Sequence, residues 1–136
     1  MVKGILSDVN IKRHVQRVIQ ILTQEPPRGF WDHLGLRLLS FAEIGLLANA
    51  SDRIIWLKCQ ELELALITAN RNQLGADSLE STIQNLGTAS SLPVFTLANP
   101  KKVLKSRQYA EATADALLEY LFDGGRILGT GRLYIP

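Results

Sequence analysis

Cysteine is almost absent from this chain: Cys59 stands alone among 136 residues. A single thiol closes no disulfide within the chain, so a reducing, cytoplasmic compartment is expected. Histidine is nearly as scarce, with only His14 and His33. One cysteine and two separated histidines cannot assemble a zinc site from those ligands. No signal-peptide pattern is visible. No apolar run approaches the roughly 20 residues of a membrane-spanning helix, so no membrane association is expected. Internal repeats and low-complexity stretches are also missing. Neither sign of charge dominates, since the net charge is +2. Such a mild excess neither demands nor excludes a nucleic-acid partner.

What is present suffices for one core. Apolar residues make up 46% of the chain, an ordinary globular fraction, and the length suits a single domain over residues 1–136. Val2 to Ser7 reads as a buried strand. From Asn10 the apolar period becomes helical, with Ile11, Val15, Val18, Ile19 and Leu22 on one face. Pro26 and Pro27 stop that helix, and residues Pro26 to Gly35 read as a turn-rich insert. Leu36 to Phe41 is a second strand. Ser51 or Asp52 caps a second helix, and Leu64 to Thr68 is a third strand. Ser78 to Leu86 is a short helix and Leu92 to Leu97 a fourth strand. Lys101 to Leu121 is helical with a break near Ser106 to Gln108. The tail, Arg126 to Leu128 and Arg132 to Ile135, reads as a hairpin. Alternating strands and helices predict an α/β fold, a single domain with a mostly parallel central sheet and helices on both faces.

In such sheets ligands bind beyond the carboxyl ends of the strands. Asp8 follows the first strand, Glu43 the second, Asn70 and Asn72 the third, and Asn99 the fourth. Asp52 opens a helix, and helix starts lie at the same edge. Acids and amides thus gather where a site is expected.

These segments carry a family resemblance. Ile5-Leu6-Ser7-Asp8-Val9-Asn10, Glu43-Ile44-Gly45-Leu46, Asp52-Arg53-Ile54-Ile55 and Leu66-Ile67-Thr68-Ala69-Asn70-Arg71-Asn72 follow one another as in PIN-like nucleases. The chain resembles that family over its first half, roughly residues 3 to 72. The departure is at Asn70 and Asn72, where the family pattern has two acids. The resemblance implies a PIN-like fold and a metal-dependent ribonuclease, with Asp8, Asp52, Asn70 and Asn72 as catalytic positions. Asp8, Asp52 and Glu43 would hold Mg or Mn, and Asp77 or Glu80 could replace the missing charge. Hard cations take oxygen ligands, activate water and stabilise phosphate charge. Lys101, Lys102, Lys105 and Arg107 would contact RNA phosphates. A homodimer is implied as well, with Phe30 and Trp31 as spare aromatic surface. The alternative is a catalytically lapsed PIN-like module that binds RNA or a protein partner, and a third reading is a dimerisation domain alone.

The same residues have structural readings. Asp8 can cap a turn, and Asp52 suits the positive end of a helix dipole. Asp77 and Glu80 fit a capping box. Asn70 and Asn72 tolerate left-handed loop geometry. The basic run can be a solvated helix face. Phe30 and Trp31 can stack on bases or pack in a core. His14 and His33 read as structural, and Cys59 as a small buried apolar group. The glycines between 124 and 131 lack the strand-to-helix context of a phosphate loop.

Overall fold

In a computed structural model, which describes residues 2–71 and 75–136, five strands form one parallel sheet. They are β1 (Gly4–Ser7), β2 (Leu38–Leu39), β3 (Leu64–Thr68), β4 (Val94–Leu97) and β5 (Arg132–Ile135). Their order across the sheet is β2-β1-β3-β4-β5. The helices are α1 (Lys12–Leu22), α2 (Arg28–Leu34), α3 (Asp52–Leu62), α4 (Leu79–Leu86), α5 (Pro100–Lys105) and α6 (Arg107–Phe122).

The strands are apolar on both faces, and the layers above and below explain why. Ile5, Ala65, Ile67, Phe95, Leu97 and Ile135 pack with Val15, Val18 and Leu22 of α1 and Ala110, Ala114 and Leu117 of α6. Leu6, Leu64, Leu66 and Val94 face the other way, against Ile55, Trp56 and Cys59 of α3 and Leu79 of α4. Successive side chains alternate across a strand, so each strand feeds both cores. Full burial of one large aliphatic side chain contributes about 1.5–3 kcal/mol; Ile5, Leu6 and Ile67 are each 1% exposed or less.

Local chemistry sets the helix starts. The side chains of Ser51, Ser78, Asn99 and Ser106 accept hydrogen bonds from the backbone N–H of Ile54, Ser81, Lys102 and Tyr109. Each such cap contributes about 1 kcal/mol. Ser78 therefore caps α4, which corrects the expected Asp77–Glu80 capping box.

Three further expectations are corrected. Residues 28–34 form helix α2 rather than an irregular insert. Pro27 precedes it as its N-cap, and proline is tolerated at a helix start because the first N–H groups there have no intrahelical acceptor. Gly35, at φ 64°, ends it in a conformation that costs glycine nothing. The second strand is only two residues long, paired with Ile5 and Leu6. The tail is no hairpin: residues 124–127 form a 3-10 turn, and β5 runs parallel to β4, Val94 opposite Arg132. Parallel neighbours need a long crossover, and α5 and α6 supply it. Among the described residues no helix is long and apolar enough to cross a membrane.

Candidate functional site

β1 and β3 are neighbours, and the chain leaves β1 toward β2 at one side before returning to β3 at the other. Strand order reverses there, and a crevice opens beyond the strand ends. It is a cavity of about 390 Å³ lined by Asp8, Asn10, Phe41, Ala50, Asp52, Ile55 and Asn70, among others. The fold thus brings together Asp8, from the end of β1, Asp52, from the first turn of α3, and Asn70, from the loop after β3. Asn72 lies outside the described residues.

Each acid is held by hydrogen bonds. Asp8 Oδ2 accepts from the Thr68 hydroxyl at 2.8 Å, and its Oδ1 accepts from the Asn10 N–H at 3.4 Å. Asp8 therefore also caps the 3-10 turn Val9–Ile11, so its capping and site positions coincide. Asp52 Oδ2 accepts from the Asn70 amide at 2.9 Å and from the Leu79 N–H, the first residue of α4, at 3.1 Å. Two helix N-termini, those of α3 and α4, thus meet at one carboxylate, and both favour negative charge. Between these groups lies a space of about 10 Å³, lined by Asp8, Asp52, Thr68, Asn70 and Leu79 among others. That is about the room one water molecule or small ion requires.

The other expected acids are placed elsewhere. Glu43 is not among the residues lining this crevice. It lines a separate cavity of about 230 Å³ with Ser7, Lys12, Gln16 and Ser40. One oxygen of Glu43 takes both the N–H and the hydroxyl of Ser40, each at 3.0 Å. Those bonds, helped by Arg37, hold its carboxyl below the usual glutamate range. Glu80 is committed to Arg132 at 2.9 Å. Asp77 is exposed and lines neither cavity around Asp8. Among the described residues no group of three or more His, Cys, Asp or Glu is placed to hold a metal. Asp8 and Asp52 with the Asn70 side chain offer two charges where hard divalent cations favour more, a donor set that fits only a weakly held ion.

Sequence reasoning missed Arg132. Its guanidinium donates to Glu80 Oε2 from Nε and Nη2, and Nη1 reaches the Asn70 carbonyl at 2.8 Å and Thr96 Oγ1 at 2.7 Å. It ties the loop after β3 to β4, β5 and α4. A tail expected to form a hairpin gave no sign of this.

The basic residues expected to contact RNA sit on α5 and at the start of α6. Lys101, Lys102, Lys105 and Arg107 are exposed. Arg107 bonds Gln24 at 2.8 Å and pairs with Glu111 at 3.5 Å. Of the aromatics, Phe30 is 61% exposed but Trp31 only 6%, so Trp31 belongs to the core and offers no surface. Phe30 instead meets Phe122 edge to face, with ring centroids 6.0 Å apart. Cys59 is buried, and burial pushes its thiol up to about 12, which leaves it unreactive at neutral pH.

Compared with known proteins, the chain matches no family model, no curated protein and no solved structure.

Proposed function

We propose that this chain is a cytoplasmic, PIN-like domain that binds RNA at the carboxyl edge of its sheet, with a divalent-ion site too weak for efficient ribonuclease turnover. One observation carries this reading: Asp8, Asp52 and Asn70 share the crevice at the strand-order reversal, and the Asn70 amide is bonded to Asp52. An amide donor there satisfies part of the carboxylate that a metal would otherwise satisfy. The basic residues of α5 add phosphate affinity beside the same edge. Mg or Mn, when bound, would polarise a phosphate and activate water; the residues that would hold it are Asp8 and Asp52, with the Asn70 side chain as a neutral partner.

The second reading, a slow metal-dependent ribonuclease, is favoured by the ion-sized space between Asp8 and Asp52. Binding and cleavage measured side by side separate the two. We expect a single-stranded RNA to bind equally well in EDTA and in millimolar Mg, and calorimetry to show Mg binding weaker than millimolar. Cleavage that requires Mg and is abolished by Asp8→Asn would replace this proposal with the enzyme.

A further inference from the structure

The register of the sheet carries the crevice outward toward its open edge. Thr68 of β3 pairs with Thr96 of β4, and Thr96 pairs with Tyr134 of β5. Residues in one such row share a face of the sheet. Thr68 is the residue that holds Asp8, so Tyr134 lies in the row of the crevice, two inter-strand spacings or about 10 Å along it. β5 is an edge strand, and Tyr134 is 48% exposed.

Arg71, next in sequence to Asn70, sits over this ring, with its guanidinium carbon 5.2 Å from the centroid. Its Nη2 donates to the Ala98 and Leu97 carbonyls. Those acceptors are neutral, so they fix the guanidinium in place without cancelling its charge. The pattern then repeats. Lys102 lies 5.6 Å over the Tyr109 ring, and the Tyr109 hydroxyl donates to the Pro136 carbonyl at 3.3 Å, one residue past β5. Lys101 and Lys105 flank Lys102 on α5. The end of β5 is therefore bordered by two tyrosines, one on each face of the sheet, each paired with a cation.

Rings interleaved with cations match the chemistry of a single-stranded nucleic acid, which offers exposed π faces and a phosphate at every step. A duplex keeps its bases stacked inside, and an acidic peptide has charge without planar rings. An exposed edge strand is more commonly blunted by lysine or proline than furnished with a half-exposed aromatic. We propose that Tyr134, with Arg71 held over it, stacks a base of a single-stranded nucleic acid and guides the strand toward the Asp8–Asp52 crevice. This rests on the RNA-binding reading above.

The test is fluorescence anisotropy at low salt with three probes: a labelled oligoadenylate, an abasic strand of equal length, and polyglutamate as an acidic-chain control. The wild-type protein should bind oligoadenylate more tightly than the abasic strand. Tyr134→Ala should lose on the order of tenfold in oligoadenylate affinity, within the range that one stacked base contributes. Its affinity for the abasic strand and its salt slope should not change. Tyr134→Phe, which keeps the ring, should bind as wild type. If wild type and Tyr134→Ala bind oligoadenylate equally, the stacking platform is overturned while RNA binding stands. If wild type binds neither strand, the RNA reading falls and takes the platform with it. Binding of polyglutamate in preference to both strands, weakened by Tyr134→Ala, would overturn the platform in favour of an acidic protein partner.

Discussion

At Asn70 an amide stands where the resemblance places a carboxylate, and the exchange alters what the crevice can hold. An aspartate there would face Asp52 as a like charge, and a cation between them would relieve the repulsion. The Asn70 amide donates to Asp52 instead, at 2.9 Å. Unit charges 4 Å apart interact by about 4 kcal/mol at an effective dielectric of 20, and each 1.4 kcal/mol is roughly tenfold in affinity. Solvent reaches this half-buried site, so part of that energy is screened. Replacing Asn70 and Asn72 by Asp should therefore tighten Mg binding at least ~10-fold. It should also lower thermal stability without metal and make stability rise with Mg, a dependence that Asp8→Asn removes. Melting curves that ignore Mg in the doubly substituted protein would show that charge count does not limit this site. Asp8, Asp52 and Asn70 were legible in the sequence because each follows a strand or opens a helix, and the edge of a parallel sheet collects such positions. Thr68, which holds Asp8, was not. A threonine inside an apolar strand reads as a β-former, and its partner depends on a neighbour 60 positions away.

The elements divide in the same manner. β3 was legible to the residue, since Leu64–Thr68 is buried throughout and follows a capped helix whose apolar face has helical spacing. α2 was not, because two prolines resemble a stop and here introduce a helix. β5 was the largest misreading: a glycine-rich turn before a short apolar run suggests a hairpin, whereas the partner strand is β4, reached through α5 and α6. Arg132 explains how β5 is locked in place. Its side chain is 9% exposed and that of Glu80 27%, so the pair is largely withdrawn from water. Removing one member of a buried pair leaves the other uncompensated and costs about 3–5 kcal/mol. We expect Arg132→Ala to lose on the order of 3 kcal/mol in chemical denaturation. The loop after β3 should also lose hydrogen-exchange protection, because the bond from Arg132 to the Asn70 carbonyl is removed. Arg132→Met combined with Glu80→Leu should recover most of the stability and little of that protection. A loss for Arg132→Ala below ~0.5 kcal/mol, typical of a surface substitution, would mean the pair is not what anchors the edge.

The whole molecule shows what composition could and could not supply. Alternating strand and helix periods were enough for the α/β class, because a parallel sheet buried on both faces is how that alternation packs. Assembly was less legible. Phe30 and Trp31 looked alike in sequence, yet only Phe30 reaches the surface, where it meets Phe122, itself 45% exposed. Phe30 and Phe122 touch within one chain and leave an exposed aromatic pair. We expect a homodimer through that pair, which light scattering at tens of micromolar would register and Phe30→Asp would reduce to monomer. A wild-type monomer under those conditions would remove the dimer. Charge distribution is also a property of the whole molecule. A net charge of +2 conceals three lysines on one six-residue helix, α5, that begins beyond the carboxyl end of β4. If RNA phosphates lie there, neutralising them releases counterions, and affinity falls with salt by a slope of about 0.7 per contact on a single strand. Arg107 already satisfies Gln24 and Glu111, so its release toward a phosphate breaks existing bonds and it should contribute least. Alanine at Lys101, Lys102, Lys105 and Arg107 together should therefore reduce the slope of log affinity against log salt by about 2–3. The preference among RNA sequences should stay unchanged, because phosphate contacts position a strand without reading its bases. An unaltered slope in the quadruple variant would place the phosphate path elsewhere on the molecule.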